Sequence, residues 1–345
     1  MMKRLKMGLI GAGGIAENRH IPAYQSLREY VEITGIQDVN LVRAREVAEK
    51  YAIPHVYEDY VEMLKYVDAV TICTPNKFHE SIAVAALNQG VHVLCEKPMA
   101  LNAAEGKRMV DAAEKNNRIL MIGYHYRFMD AVVLAKQSMA GVGGPIVTRV
   151  QALRQRKVPG WGVFINKQLQ GGGSLIDWGC HLLDTALWLV SPSKPVEVNA
   201  QTYQRLSKQP NQVNDWGSYD HEAIDVDDHV SAYIRFDDQS TLLFECSWAA
   251  NIKEDQTHIS ISGENGGLSV FPYEFYQSKY NRMMETHTNT TQDQQQAGLL
   301  QAKNFIDACL GRDQLKSSPQ DALKVTRVMD AIYESSERGK SIFIN

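Results

Sequence analysis

The sequence predicts an α/β fold of two domains, a doubly wound parallel sheet followed by an α+β domain built on a large, mostly antiparallel open sheet. Three observations predict it. Over residues 1–123, short apolar runs alternate with amphipathic stretches. Beyond Arg127, long strand-like runs succeed one another without helices between them. At 345 residues, the chain exceeds one ordinary core and suffices for two. The domains are accordingly placed at 1–123 and 124–345.

In the first domain, Leu5–Ile10, Val31–Gln37, Ala69–Cys73, Val91–Cys95 and Ile119–Ile122 read as strands, apolar on both faces as buried parallel strands are. Between them, Ile15–Ser26, Leu41–Tyr51, Tyr60–Lys65, Phe78–Asn88 and Ala103–Asn116 carry helical patterns, so the chain spells βαβ units. In the second domain, the strands are Val147–Arg156, Val196–Arg205, His229–Phe236, Thr241–Ala249 and His258–Gly263; strands in direct succession favour antiparallel pairing. Gly171-Gly-Gly173 precedes a helix over Leu175–Leu189, with Leu182, Leu183, Ala186 and Leu189 on one face. Gly298–Leu310 and Pro319–Arg338 return to helix. Tyr203–His221 and Met283–Gln296 are polar and aperiodic, and are expected to be loops. There are no internal repeats.

Composition removes several function classes. The chain has 44% hydrophobic and 22% charged residues and a net charge of −4, a globular balance without the basic excess of a nucleic-acid binder. No apolar run approaches the ~18 residues of a membrane span. The start, Met1 to Lys6, is cationic, but the apolar stretch Met7–Ile10 is far too short for a signal-peptide core and runs into a glycine loop. The five cysteines are odd in number, widely spaced and never in C-x-x-C, so reduced thiols, a cytoplasmic location and no metal site are expected.

The strongest motif follows the first strand directly: Gly11-Ala12-Gly13-Gly14-Ile15-Ala16, a G-x-G-x-x-A turn opening a helix. Gly11 permits the tight turn, Gly13 lets a pyrophosphate approach the backbone, and Ala16 keeps helix and strand close. The N–H groups of a helix start and its dipole then favour the anion. Asp38 closes the second strand, where a carboxylate accepts adenosine ribose hydroxyls and repels a 2′-phosphate. The expected cofactor is therefore NAD on a Rossmann domain. Arg43 is the loop arginine able to accommodate a phosphate instead.

Three further features carry chemistry. Glu96-Lys97-Pro98 ends a strand, where the carboxyl edge of an open α/β sheet faces its ligand crevice. A lysine there can donate to a substrate hydroxyl, although an ordinary surface lysine reads the same way. Asp177 and His181 share one helix face at i and i+4. A carboxylate beside an imidazole orients the ring and suits it to take a hydroxyl proton, while a structural hydrogen bond would give the same spacing. Thr74-Pro75-Asn76 ends the strand Ala69–Cys73 and can bound the nicotinamide ribose. His79 behind it is expected to start a helix with no chemical task.

These pieces resemble, in order and over most of the chain, the Gfo/Idh/MocA family of glucose–fructose oxidoreductase and inositol dehydrogenase relatives. The resemblance rests on Gly11–Ala16, Thr74-Pro-Asn76, Glu96-Lys97-Pro98, Gly171-Gly-Gly173 and Asp177-x-x-x-His181-x-x-Asp184. Asp321-Ala-Leu323 and Ala331–Ser335 look like its closing helices. It implies hydride exchange between a secondary hydroxyl of a sugar or cyclitol and nicotinamide, with Lys97, Asp177 and His181 catalytic. Gly11, Gly13, Gly14, Ile15, Asp38, Thr74, Asn76, Glu96 and Lys97 are expected around the cofactor. Tyr124, His125, Arg127, Arg154 and Trp161, with Arg156 and Phe164, are candidates to shape the substrate site beside Lys97, Asp177 and His181; Trp161 and Phe164 could equally pack a loop. By analogy, the Lys97–Pro98 peptide is expected to be cis. An exposed sheet face implies a homodimer or homotetramer. An NAD-dependent glycoside hydrolase of the same fold and a non-catalytic NAD-binding protein are the alternatives.

Overall fold

The βαβ pattern of the amino-terminal region builds a sheet of six strands: β1 Leu5–Ile10, β2 Val31–Gln37, β3 His55–Tyr57, β4 Ala69–Ile72, β5 His92–Cys95 and β6 Leu120–Ile122. Their order is β3-β2-β1-β4-β5-β6, and every pairing is parallel. The winding reverses between β1 and β4, the place where open α/β sheets leave a crevice at the carboxyl ends of their strands. The computed structural model describes residues 4–291 and 293–344, so residues 1–3 of the cationic start lie outside the described residues. Met7–Ile10 is the body of β1.

All five expected strands are present in this sheet. β3 was not foreseen; three residues are too few to show an alternation, and it pairs only with β2 at the sheet edge. The helices covering the sheet are bounded by local chemistry. Asn40 and Asn102 cap Leu41–Tyr51 and Ala103–Asn116 by accepting the backbone N–H groups of Arg43 and Glu105.

The chain divides into two compact units, 1–128 with 293–323 and 129–292 with 324–345. The helix Gln294–Cys309 belongs to the first unit, where its buried Gly298, Ala302 and Phe305 line the side facing the Ala16–His20 and His125–Phe128 segments. Its side pattern marks it as amphipathic, but nothing local says against what it packs.

The second unit holds a nine-stranded sheet of β7 Pro145–Leu153, β8 Pro195–Tyr203, β9 His229–Phe236, β10 Thr241–Ser247, β11 Gln256–Gly263, β12 Gly267–Ser269, β13 Glu274–Lys279, β14 Arg282–His287 and β15 Ile342–Phe343. Its order is β14-β13-β12-β11-β7-β10-β9-β8-β15, antiparallel throughout except for the parallel pair β7–β10. The β13–β14 hairpin corrects the expected loop at 283–296, of which residue 292 lies outside the described residues. All six residues of β14 are exposed, so the strand has no apolar face to betray it. Tyr280 and Asn281, both at positive φ, make the tight turn.

The helix expected over Leu175–Leu189 is present in two parts, a π-helical turn Leu175–Gly179 and an α-helix Cys180–Leu189. The glycines before it are required by close approach. A Cβ on Gly172 would overlap the Tyr333 hydroxyl, and one on Gly173 the carbonyl oxygen of Asp227. No helix among the described residues is long and apolar enough to cross a membrane.

Candidate active site

In the first unit, the motif residues all emerge from the carboxyl edge of the parallel sheet. Gly11 leaves β1 at φ +97°, and a side chain there would strike the Cys73 carbonyl oxygen at 2.7 Å. Gly13 has no atom within 4 Å of where a Cβ would stand, which leaves its face open to a pyrophosphate. Asp38 follows β2 and does two things at once. Its Oδ2 accepts the Ala12 N–H at 2.7 Å and its Oδ1 that of Asn40 at 2.8 Å, so the carboxylate expected to hold the ribose also holds the glycine loop. These residues fit a dinucleotide: an open glycine, a helix start, and a carboxylate anchored beside both.

Thr74 and Asn76 follow β4, and Glu96 and Lys97 follow β5. The Lys97–Pro98 peptide is cis. His79 starts the helix His79–Asn88 and lies buried between the Pro98 carbonyl, 2.8 Å from Nδ1, and the Thr74 carbonyl, 3.0 Å from Nε2. It therefore braces the two loops that carry Asn76 and Lys97, and burial keeps its pKa low.

Glu96 is buried behind half-buried Lys97. Its Oε1 accepts from His20 Nε2 at 2.7 Å and lies 3.9 Å from Arg19. Burial by itself would raise its pKa, but the His20 hydrogen bond and the charges of His20 and Arg19 hold the carboxyl well below the usual range. Beside β6, Tyr124, His125 and Arg127 are all buried. Arg127 donates through Nη1 to Asp321 and to the Lys316 carbonyl, both at 3.0 Å, tying this turn to the segment that closes the unit. The His125 ring lies 3.3 Å from Arg19, and burial together with that charge pulls its pKa down to about 3.

In the second unit, Asp177 sits on the π-helical turn and His181 in the first turn of the following helix, both as the spacing requires. The Asp177 Oδ2 accepts from Trp248 Nε1 at 3.0 Å and from Arg154 Nη1 at 3.2 Å. The Arg154 guanidinium is itself sandwiched between the rings of Trp178 and Trp216, at 4.3 and 4.5 Å. Trp161 is 52% exposed, packed edgewise on Phe164 and against Trp216. Phe164 also packs on the small core of Val158, Ile224, Val226 and Trp248. Arg156 is committed to the Ala249 carbonyl and the Asn251 side chain.

Asp227 was invisible in the sequence, yet it organises this half. Its Oδ1 accepts from Gly173 N and the Tyr333 hydroxyl, each at 2.7 Å, and its Oδ2 accepts from the Ser174 hydroxyl at 2.8 Å and Leu175 N at 3.0 Å. A buried carboxylate thus saturates the start of the helix that carries Asp177 and His181. Asp227 lies in an aspartate-rich turn after a polar, aperiodic stretch, where no spacing singles it out. Trp248 carried a weak signal, an indole at the end of a predicted strand.

The open glycine loop and Asp38 define the first unit as a dinucleotide-binding Rossmann domain. Residues 5–124 match the oxidoreductase family with an NAD-binding Rossmann fold, and residues 139–269 match the GFO/IDH/MocA C-terminal domain. The chain is 34% identical over 343 residues to D-glucoside 3-dehydrogenase of Escherichia coli strain K12, covering 98% of this chain and 97% of that one. It is 28% identical over 298 residues to levoglucosan dehydrogenase of Pseudarthrobacter phenanthrenivorans, covering 79% and 75%. A solved levoglucosan dehydrogenase in complex with NADH and levoglucosan has the same fold, with a TM-score of 0.86 at 23% identity over 99% of this chain and 100% of the other. The chain belongs to the Gfo/Idh/MocA family of NAD-dependent oxidoreductases.

The buried imidazole makes a pH prediction. Folded His125 takes no proton until about pH 3, whereas its ordinary value is 6.5. Above pH 6.5 it contributes nothing to pH dependence; as pH falls below that, the unfolded chain binds a proton that the folded one refuses, and stability drops. His125→Asn should give urea midpoints that fall less steeply than those of the parent between pH 6.5 and 4. Parallel slopes would contradict the assignment.

Proposed function

We propose that the protein oxidises a secondary ring hydroxyl of a sugar or cyclitol, with the C3 hydroxyl of a glucoside as the first candidate. Asp177 carries the reading: Arg154 and Trp248 hold its carboxylate in a fixed geometry one helical turn before His181. The relatives, a glucoside 3-dehydrogenase and a levoglucosan dehydrogenase, suggest the substrate class.

NAD, when bound, supplies the hydride acceptor, and the glycine loop with Asp38, Thr74, Asn76 and Lys97 is the set that would hold it. His181 takes the hydroxyl proton at a ring nitrogen as the C–H bond breaks. Asp177 orients the imidazole and stabilises the cation it becomes. Lys97 donates to the same oxygen and favours its alkoxide character. Trp161, open to solvent, offers an aromatic face to the sugar ring. Arg154 supports Asp177, and Tyr124, His125 and Arg127 hold the strand end behind the site. Glu96, through its backbone neighbourhood with Lys97, positions that lysine.

The test is NADH formation from NAD with methyl glucosides, levoglucosan and inositols. On the best of these, His181→Ala should lower kcat by about 100-fold or more while NADH titration is unchanged. Near-normal turnover of the variant would sink the assignment.

The same reading includes a homodimer or homotetramer and a cytoplasmic location. Tyr233 and Leu243 face each other across β9 and β10, each 43% exposed on the outer side of the sheet, which favours covering by a second copy. None of the five cysteines forms a disulfide, which suits a reducing compartment. The mass in solution should be a multiple of the chain mass; a monomer at micromolar concentration would contradict it.

A further inference from the structure

We propose that Glu17 sets the preference for NAD over NADP by occupying Arg43, the cation placed to receive a 2′-phosphate. The inference rests on the glycine loop being the dinucleotide site.

The backbone of Ala12 in that loop is held on both sides, at its N–H and at its carbonyl. Asp38 takes its N–H at 2.7 Å, and Arg43 Nε donates to its carbonyl at 3.1 Å. The guanidinium and the carboxylate that would meet the adenosine ribose therefore flank one residue. Asp38 alone repels a 2′-phosphate, but a neighbouring arginine can outweigh such repulsion, because its planar fork pairs with phosphate through two N–H donors.

Here the fork is already used. Arg43 Nη2 is ion-paired with the Glu17 carboxylate, and Nη1 lies 3.5 Å from Glu46. Glu17 belongs to the first turn after the glycine loop, its side chain only 13% exposed, and it also accepts from Lys50 at 2.6 Å. Lys50 and Arg43 hold its carboxyl below the usual range, so it is ionised at neutral pH. Two cations, Arg43 and Lys50, thus meet two carboxylates, Glu17 and Glu46, and the cluster offers a phosphate no net positive charge. Losing Glu17 would leave one unit of positive charge on groups next to the ribose position.

The experiment is fluorescence titration of NADH and NADPH into the intact protein without substrate, which reads binding apart from turnover. Glu17→Gln should tighten NADPH by about tenfold and change NADH by less than about twofold. Glu17→Gln with Arg43→Ala should lose that gain. Arg43→Ala alone removes the cation and leaves Glu17 paired only with Lys50, so it should not raise the NADPH-to-NADH affinity ratio above that of the parent; this arm stands even where Glu17→Gln fails to fold. An unchanged ratio in Glu17→Gln, a gain that survives Arg43→Ala, or a raised NADPH-to-NADH ratio in Arg43→Ala alone would each overturn the proposal. A parent chain that binds neither nucleotide would overturn the cofactor site itself, and the proposal with it.

Discussion

A helix that starts in a protein interior leaves peptide N–H groups that something must accept, and both functional halves of this chain are arranged around that requirement. In the first unit, the turn Gly11–Ala16 answers it incompletely. Asp38 takes the Ala12 N–H, and the open face at Gly13 is left for an anion. In the second unit, Asp227 takes the donors of Gly173, Ser174 and Leu175, and the helix start is closed. One helix start is open to a ligand; the other is locked, and the locked one carries Asp177 and His181. The glycines at both places are the consequence, since side chains at Gly11 or Gly173 would collide with the backbone that makes the arrangement possible.

Buried charge is managed in the same way throughout. Glu96 is ionised because His20 and Arg19 offset the loss of water around it, and His125 is neutral because burial and Arg19 leave it no room for a proton. Removing one partner of such a cluster costs more than the pair contributes, because the remaining charge is stranded. The loop bearing Lys97 therefore rests on a buried cluster of paired groups. Asp177 is likewise held, by an indole and by an arginine that lies over two tryptophan rings.

What could be read from the sequence was local. The glycine turn, Asp38, Glu96-Lys97-Pro98 and the Asp177–His181 spacing each occupy a few residues, and each has one structural context that gives it meaning. The parallel and antiparallel sheets followed from strand succession. What escaped depends on distant partners or on absent patterns. β3 is too short to alternate, β14 has no buried side, and the helix Gln294–Cys309 belongs to a unit that the segment just before it does not share. The π-helical turns at Ala16–His20 and Leu175–Gly179 have no signature in residue type. Asp227 and Trp248 matter only because tertiary structure brings them to Gly173 and Asp177, and burial of Arg127 against Asp321 is equally a matter of chain return.

The most direct test of the central claim is the fate of the hydrogen on the oxidised carbon. A glucoside deuterated at C3 should reduce NAD more slowly than the unlabelled sugar, and the deuterium should be recovered in the reduced cofactor. Deuterium released to solvent, or glucoside consumption without any reduced cofactor, would contradict the account of this chain as a dehydrogenase.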